Sequence, residues 1–317
     1  MSVSRTNLAG AGCALLAVMC FSLNDVGIKF LSDDYALHQI VFFRSAIALL
    51  TFSIVFLPIY GLRVLRTRRP GAHLLRGVCV VGANSCLFLG LAAMPIADAV
   101  AVFFISPLVI TVFSVIFLRE TVGARRWAAI AVGFVGVLVI VKPGTSAFQV
   151  AALLPMAAAV LYAVIHMVAR KVGGTESAAT MAVYIQITFI IACSIIGLSI
   201  GDGKFAQQDH ASLAFLFRAW GPIATHDWWI LIMLGVSGVM GGFFISQAYR
   251  ISEAAFAAPF EYVAMPMAIM WGVTVFGTWP DRTAWIGIAL ILGSGLYLIW
   301  RESRKDQIVA SDEPSHL

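Results

Sequence analysis

The chain has 317 residues, of which 61% are hydrophobic and only 12% charged, with a formal net charge of +5 and a mean hydropathy of +0.93. A soluble domain of this length does not need so much apolar surface. The composition excludes an ordinary soluble enzyme, and the modest positive charge is a topology signal rather than a nucleic-acid patch.

A bilayer core of roughly 30 Å takes about 20 apolar residues of helix. On that ruler the fold class is an all-α membrane protein with ten transmembrane helices, near residues 9–30, 36–59, 73–94, 97–118, 125–141, 149–170, 178–200, 228–249, 254–277 and 283–300. The first helix carries Asp25 and Lys29, four residues apart on one face and close enough to pair. Arg44 lies inside the second, within reach of Asp25. The run Arg63 to Arg69 reads as a cytoplasmic anchor beside lipid headgroups. Asn84 falls in the third helix and Pro107 breaks the fourth. The sixth holds Tyr162 and His166.

The one long connector, 201–227, contains Phe215, Leu216, Phe217 and Trp220, which read as a short amphipathic segment at the membrane surface. The eighth helix brings Phe243, Phe244 and Tyr249. The ninth is interrupted by Pro259 and Pro266, with Phe260, Glu261 and Tyr262 between them and Trp271 beyond. Residues 302–317 form a short polar tail. The five cysteines, Cys13, Cys20, Cys79, Cys86 and Cys193, all fall within spans and show no metal-ligand spacing, so no metal or other cofactor is expected.

Basic residues crowd alternate connectors: Arg5, the Arg63–Arg69 run, Arg119 to Arg126, Arg170 with Lys171, Arg250, and Arg301 to Lys305 on one side. The other side has only Lys142, Lys204, Arg218 and Arg282. The positive-inside bias therefore places both termini in the cytoplasm of a bacterial inner-membrane protein.

The chain also repeats itself. Phe21, Asp25 and Lys29 align with Tyr162, His166 and Arg170, and Arg44 aligns with Gln186. Gly77, Pro107 and Trp127 align with Gly235, Pro266 and Trp285. The expected units are residues 8–144 and 148–301. Because each unit has five helices, the second must enter the membrane from the opposite side, giving inverted repeats with a site near the midplane between halves.

Ala92-Ala-Met-Pro-Ile-Ala-Asp-Ala-Val-Ala101 leading to Ser106-Pro107, then Phe117-Leu-Arg-Glu-Thr121 and a Gly-rich helix ending Val141-Lys-Pro-Gly144, form one set of motifs. Ala257-Ala-Pro-Phe-Glu-Tyr262, Pro266, Phe276-Gly-Thr-Trp-Pro-Asp281 and Trp285-Ile-Gly287 form its counterpart. In this order the chain resembles the drug/metabolite transporter superfamily, in its ten-helix EamA (RhaT-like) branch, over about residues 8 to 301. Thr278 stands where that family commonly has Glu. The resemblance implies a secondary carrier of small organic metabolites and not an enzyme.

Ionisable groups at membrane depth are costly and should face a cavity or a partner. Asp25, Lys29, Arg44 and His166 are the candidates for gating or coupling, the imidazole being able to carry a proton near neutral pH. Glu261, with Phe260, Tyr262, Trp271, Tyr249, Phe243, Asn84 and Tyr162, is the candidate substrate site, because a carboxylate among aromatic faces suits an ammonium or sulfonium group. Pro107, Pro259 and Pro266 would open the helices around it. The expected partner is a zwitterionic or cationic metabolite of the amino-acid class, with membrane lipid around the chain, protons as a coupling ion, and a monomer or homodimer as the assembly. The competing substrates are sugars, nucleotide-sugars or lipophilic drugs; an intramembrane lipid-modifying enzyme would need a catalytic set at the interface that the chain does not offer.

Overall fold

The computed structural model describes residues 5–55, 57–67, 69–119, 123–143, 150–172, 178–251 and 260–312. Every regular element among them is a helix. In chain order they are α1 (Arg5–Leu31), α2 (Leu37–Val55), α3 (Leu57–Tyr60), α4 (Pro70–Ala93), α5 (Ile96–Phe103), α6 (Ser106–Leu118), α7 (Ala124–Val141), α8 (Leu153–Val172), α9 (Ala178–Ile200), α10 (Ala211–Phe217), α11 (Trp228–Ile251), α12 (Ala264–Thr274) and α13 (Arg282–Asp312). Short 3₁₀ turns at Leu62–Leu65 and Val150–Ala152 complete the set.

Among the described residues six stretches are long and apolar enough to cross a membrane: Ala9–Leu31, Leu37–Ile59, Pro70–Ala93, Ile96–Phe117, Ala182–Ile200 and Trp228–Ile245. Trp127–Val141, Val150–Ile165 and Ala264–Thr274 are shorter apolar helices. Large apolar side chains such as Leu74, Leu75, Val78, Leu198 and Ile195 lie on the outside, as a lipid-facing surface requires.

Two helices are broken by proline. The stretch 96–118 divides at Phe104 and Ile105, just before Pro107, because the ring removes an N–H from the ladder and crowds the preceding turn. Just beyond the break the Pro107 carbonyl accepts from the Thr111 hydroxyl at 3.0 Å. Before α12 the chain turns at Tyr262 and Val263; Pro266 cannot donate to the Tyr262 carbonyl, which instead accepts from the Met265 N–H at 3.1 Å. Pro259, the other proline expected to break a helix, lies outside the described residues.

Two elements differ from the expectation drawn from sequence. Phe215 in α10 is fully buried, the Ser212 hydroxyl donates to the Leu89 carbonyl at 2.7 Å, and Trp220 stacks on His38 and donates its N–H to His38 Nδ1. The 201–227 connector is thus packed onto the end of the bundle through Ser212, Phe215 and Trp220. Further ties clamp it: Arg218 Nη1 donates to the Ser32 carbonyl at 2.6 Å, and Tyr35 donates to Asp227 at 2.6 Å. The second difference is α13, whose helix continues to Asp312, well into the stretch read as a tail. The sequence there, Glu302 to Val309, holds no glycine or proline to stop it.

Helix pairing has a simple symmetry. α1 packs on α11 and α4 on α8; α2 meets α11 and α4 meets α9; α6 meets α8 and α1 meets α12. α2 with α9, α5 with α12, and α7 with α13 form the remaining main pairs. Exchanging α1, α2, α4, α5–α6 and α7 for α8, α9, α11, α12 and α13 returns the same set of pairs. At the α7–α13 contact the backbones come close: a Cβ at Gly136 would lie 2.9 Å from the Gly287 carbonyl oxygen, and one at Gly287 would lie 2.4 Å from Ile140. Small residues let membrane helices approach this way. Gly287→Ile is therefore expected to lower the melting temperature of the purified protein by several degrees, overpacking costing about 1–3 kcal/mol. Gly293→Ile, which points into open space, is the control and should not.

Candidate functional site

Polar groups collect in three places, the first two inside the bundle and the third at its end. The first lies among α1, α2 and α11. Arg44 Nη1 donates to Asn24 Oδ1 at 3.0 Å, and Asn24 Nδ2 donates to Ser237 Oγ at 2.6 Å and to the Cys20 carbonyl at 3.2 Å. The Arg44 guanidinium sits 5.2 Å from the Phe88 ring centre and 5.3 Å from that of Phe189. Cation–π contacts of this kind add about 0.5–2 kcal/mol each. Asp25 is close enough to Arg44 for their charges to attract. Arg44 is thus held from every side, although only Asp25 was expected as its partner; Asn24, the neutral neighbour, supplies the hydrogen bond.

Lys29 does not close on Asp25. Its ammonium donates to the carbonyls of Leu91 and Met94, at 2.5 and 2.8 Å, and lies 5.3 Å from the Phe276 ring centre. These carbonyls belong to the last turn of α4 and the residue that caps it, where unpaired acceptors and the negative end of the helix dipole attract a cation. His166 is on α8, but its side chain lies outside the described residues.

The second place is the layer around the two helix breaks. Tyr262 is buried and stacks on Phe104, with ring centres 5.0 Å apart and planes at 21°. Tyr162 of α8 meets Phe103 edge-on at 5.4 Å. Glu261 is half-buried and acts electrostatically on both Tyr162 and Tyr262. Arg76 of α4, which was not among the expected site residues, acts on Tyr162 as well. The structure so gathers Glu261, Tyr262 and Tyr162 and adds Phe103, Phe104 and Arg76. Ile105, Leu108, Phe134, Met156 and Val160, beside the same break, line an apolar groove of 220 Å³.

The other expected site residues are placed elsewhere. Trp271 donates its indole N–H to Ser22 Oγ at 2.7 Å and ties α12 to α1. Asn84 bonds the Val80 carbonyl of its own helix at 3.0 Å. Phe243 makes an edge contact with Phe244 on α11. Phe260 adjoins Glu261 and is half-buried, and the Tyr249 side chain lies outside the described residues.

The third place is at the opposite end of the bundle from the termini. Lys142, with a left-handed backbone (φ 51°) at the end of α7, pairs with Asp281 at 2.8 Å. Asp281 also caps α13, accepting from the Ala284 N–H at 2.6 Å and the Thr283 hydroxyl at 2.7 Å. The Lys142 bond and these caps hold its carboxyl down to about 2, so it stays charged through the physiological range. Beside it is a cavity of 290 Å³ lined by Asp98, Met94, Pro95, Lys142 and Trp279. Thr278 has a structural use: its N–H and hydroxyl both donate to the Gly272 carbonyl, at 2.8 and 3.0 Å, after a turn at Gly277 (φ 63°). A hydroxyl can donate in this way; a glutamate carboxylate cannot.

An apolar helical bundle with buried charges, aromatic pairs at paired helix breaks and this order of motifs has known counterparts. The EamA-like transporter family model matches residues 8–142. A riboflavin transporter of Rhizobium johnstonii is 31% identical over 302 residues, covering 95% of this chain and 94% of the relative. The chain belongs to the EamA-like transporter family. That places it in the drug/metabolite transporter superfamily, among membrane carriers of small metabolites and not among enzymes. An S-adenosylmethionine uptake transporter of Rickettsia conorii is 29% identical over 95% of both chains. A pseudopaline exporter of Pseudomonas aeruginosa is 26% identical over 90% of this chain and 93% of the relative. A solved crystal structure at 18% identity superimposes with a TM-score of 0.64 over 93% of this chain and 98% of that one, a likeness of fold alone.

Proposed function

We propose that this EamA-like carrier moves a small zwitterionic or cationic metabolite across the bacterial inner membrane by alternating access, with both termini in the cytoplasm. The architecture proposed is ten spans in two inverted five-helix units; its support is the helix pairing, which maps onto itself when the halves are exchanged. The observation that carries the substrate reading is the Glu261 carboxylate beside Tyr162 and Tyr262, between two proline-broken helices. A cationic centre would find there both an opposite charge and aromatic faces. S-adenosylmethionine, the cargo named for one group of relatives, has a sulfonium and an ammonium group and fits this chemistry.

A second reading has its own observation. The near-parallel stack of Tyr262 on Phe104 offers flat faces to a neutral ring system, and riboflavin is the cargo named for the 31%-identical relative. Thermal unfolding of the purified protein in lipid nanodiscs separates the two, since ligand at 100 times its Kd adds about 2.7 kcal/mol of stability. S-adenosylmethionine should raise the melting temperature and riboflavin should not. Stabilisation by riboflavin alone would move the assignment to the neutral ring.

A further inference from the structure

Arg76 and Arg44 are both arginines inside helical spans, and the bundle treats them differently. Arg44 is met by Asn24, Asp25 and two phenyl rings. Arg76 has Nε and Nη1 buried with no hydrogen-bond acceptor, and among the described residues it forms no ion pair. Buried N–H donors of a charged group are rarely left open unless something else fills them.

The lipid headgroups are not that partner. Leu74, Leu75 and Val78 form the lipid-facing side of this part of α4, being 63%, 51% and 57% exposed. Arg76 is on the other side, continued along the helix by Cys79, Val80 and Ala83, which pack against Tyr162 and Ile165 of α8. It therefore points into the bundle, towards the layer that holds Glu261. Two acceptor or donor atoms of nearby elements are likewise buried and unpartnered: Gln186 Oε1 on α9, which packs on α4, and the Tyr262 hydroxyl.

We infer that Arg76 recognises a carboxylate on the transported molecule, so that the cargo is a true zwitterion with its acidic group at Arg76 and its cationic group at Glu261. The inference rests on the substrate reading given above and narrows it. A guanidinium presents its N–H groups in a planar fork that matches a carboxylate's two oxygens, and such charge-assisted bonds are the strong ones. Opposite charges on the protein at the two ends of one molecule fix its orientation and reject simple amines, which would leave Arg76 unpaired. Neutral riboflavin offers neither charge.

Equilibrium binding of S-adenosylmethionine and of its decarboxylated form, which keeps the sulfonium and the amine, tests this on the full chain in nanodiscs. The wild type should prefer S-adenosylmethionine by ~10-fold or more, the range of a hydrogen bond to a charged group. Arg76→Gln should lose that preference by binding S-adenosylmethionine ~10-fold to 100-fold more weakly while binding the decarboxylated probe within ~3-fold of the wild type. Arg76→Lys should recover part of the preference, and Glu261→Gln should weaken both probes together. An Arg76→Gln protein that keeps the preference, or weakens both probes equally, overturns the role of Arg76 alone. A wild type that binds neither probe overturns the substrate reading and this inference with it.

Discussion

Glu261→Gln is expected to weaken binding of a zwitterionic or cationic substrate by ~10-fold or more, because it removes the charge from a hydrogen-bonding group while keeping its shape. The side chain is half-buried just before α12, where the backbone turns at Tyr262 and Val263 ahead of Pro266. Tyr262 is locked by its stack on Phe104, and Tyr162 by its edge contact with Phe103, so the aromatic surroundings do not depend on the Glu261 charge. The variant should fold with a melting temperature near that of the wild type. Radioligand binding and uptake into proteoliposomes distinguish the outcomes. Normal binding with loss of the pH dependence of transport would make Glu261 a proton carrier, and normal binding with normal transport would remove it from the site.

The parts of this site legible in the sequence are those set by local chemistry. A proline cannot donate to the helix ladder, so the break before Pro107 and the turn before Pro266 follow from the residues alone. Glu261 and Tyr262 are adjacent in the chain and arrive together. What could not be read is how each helix is rotated against its neighbours. Trp271 was expected beside Glu261 but donates to Ser22, because the rotation of α12 against α1 carries its indole to that side. Lys29 was expected on Asp25 and instead meets carbonyls at the end of α4, a partner no side-chain spacing reveals. Arg76 gave a signal, an arginine six residues into α4 among apolar neighbours, but its direction depends on the packing of α4 on α8. Phe215 and Trp220 have the composition of an interfacial segment, and the packing of α10 and its loop on α2 and α4 explains why Phe215 is buried and Trp220 half-buried.

Asp25→Asn is expected to slow transport several-fold while leaving substrate affinity within ~2-fold of the wild type, the proposed gating group being remote from the ligand. The structure supplies the reason that the variant should fold. Arg44 does not depend on Asp25 for its burial: it donates to Asn24, lies over Phe88 and Phe189, and Asn24 is itself anchored to Ser237 and the Cys20 carbonyl. Asp25 adds only a longer-range attraction, and a contact of that kind is the easiest to make in one state and release in another. Arg44→Met is the contrasting case. It removes the centre of the network and leaves the buried Asn24 Oδ1 without its donor, at a cost of about 1–3 kcal/mol, and takes away the Phe88 and Phe189 cation–π contacts as well. Its expected signature is poor yield and a melting temperature many degrees lower, measured on protein purified in the same way. If Asp25→Asn instead loses binding and transport in equal measure, or loses neither, the Asp25–Arg44 attraction is a fixed part of the scaffold and the gate must be sought elsewhere in the bundle.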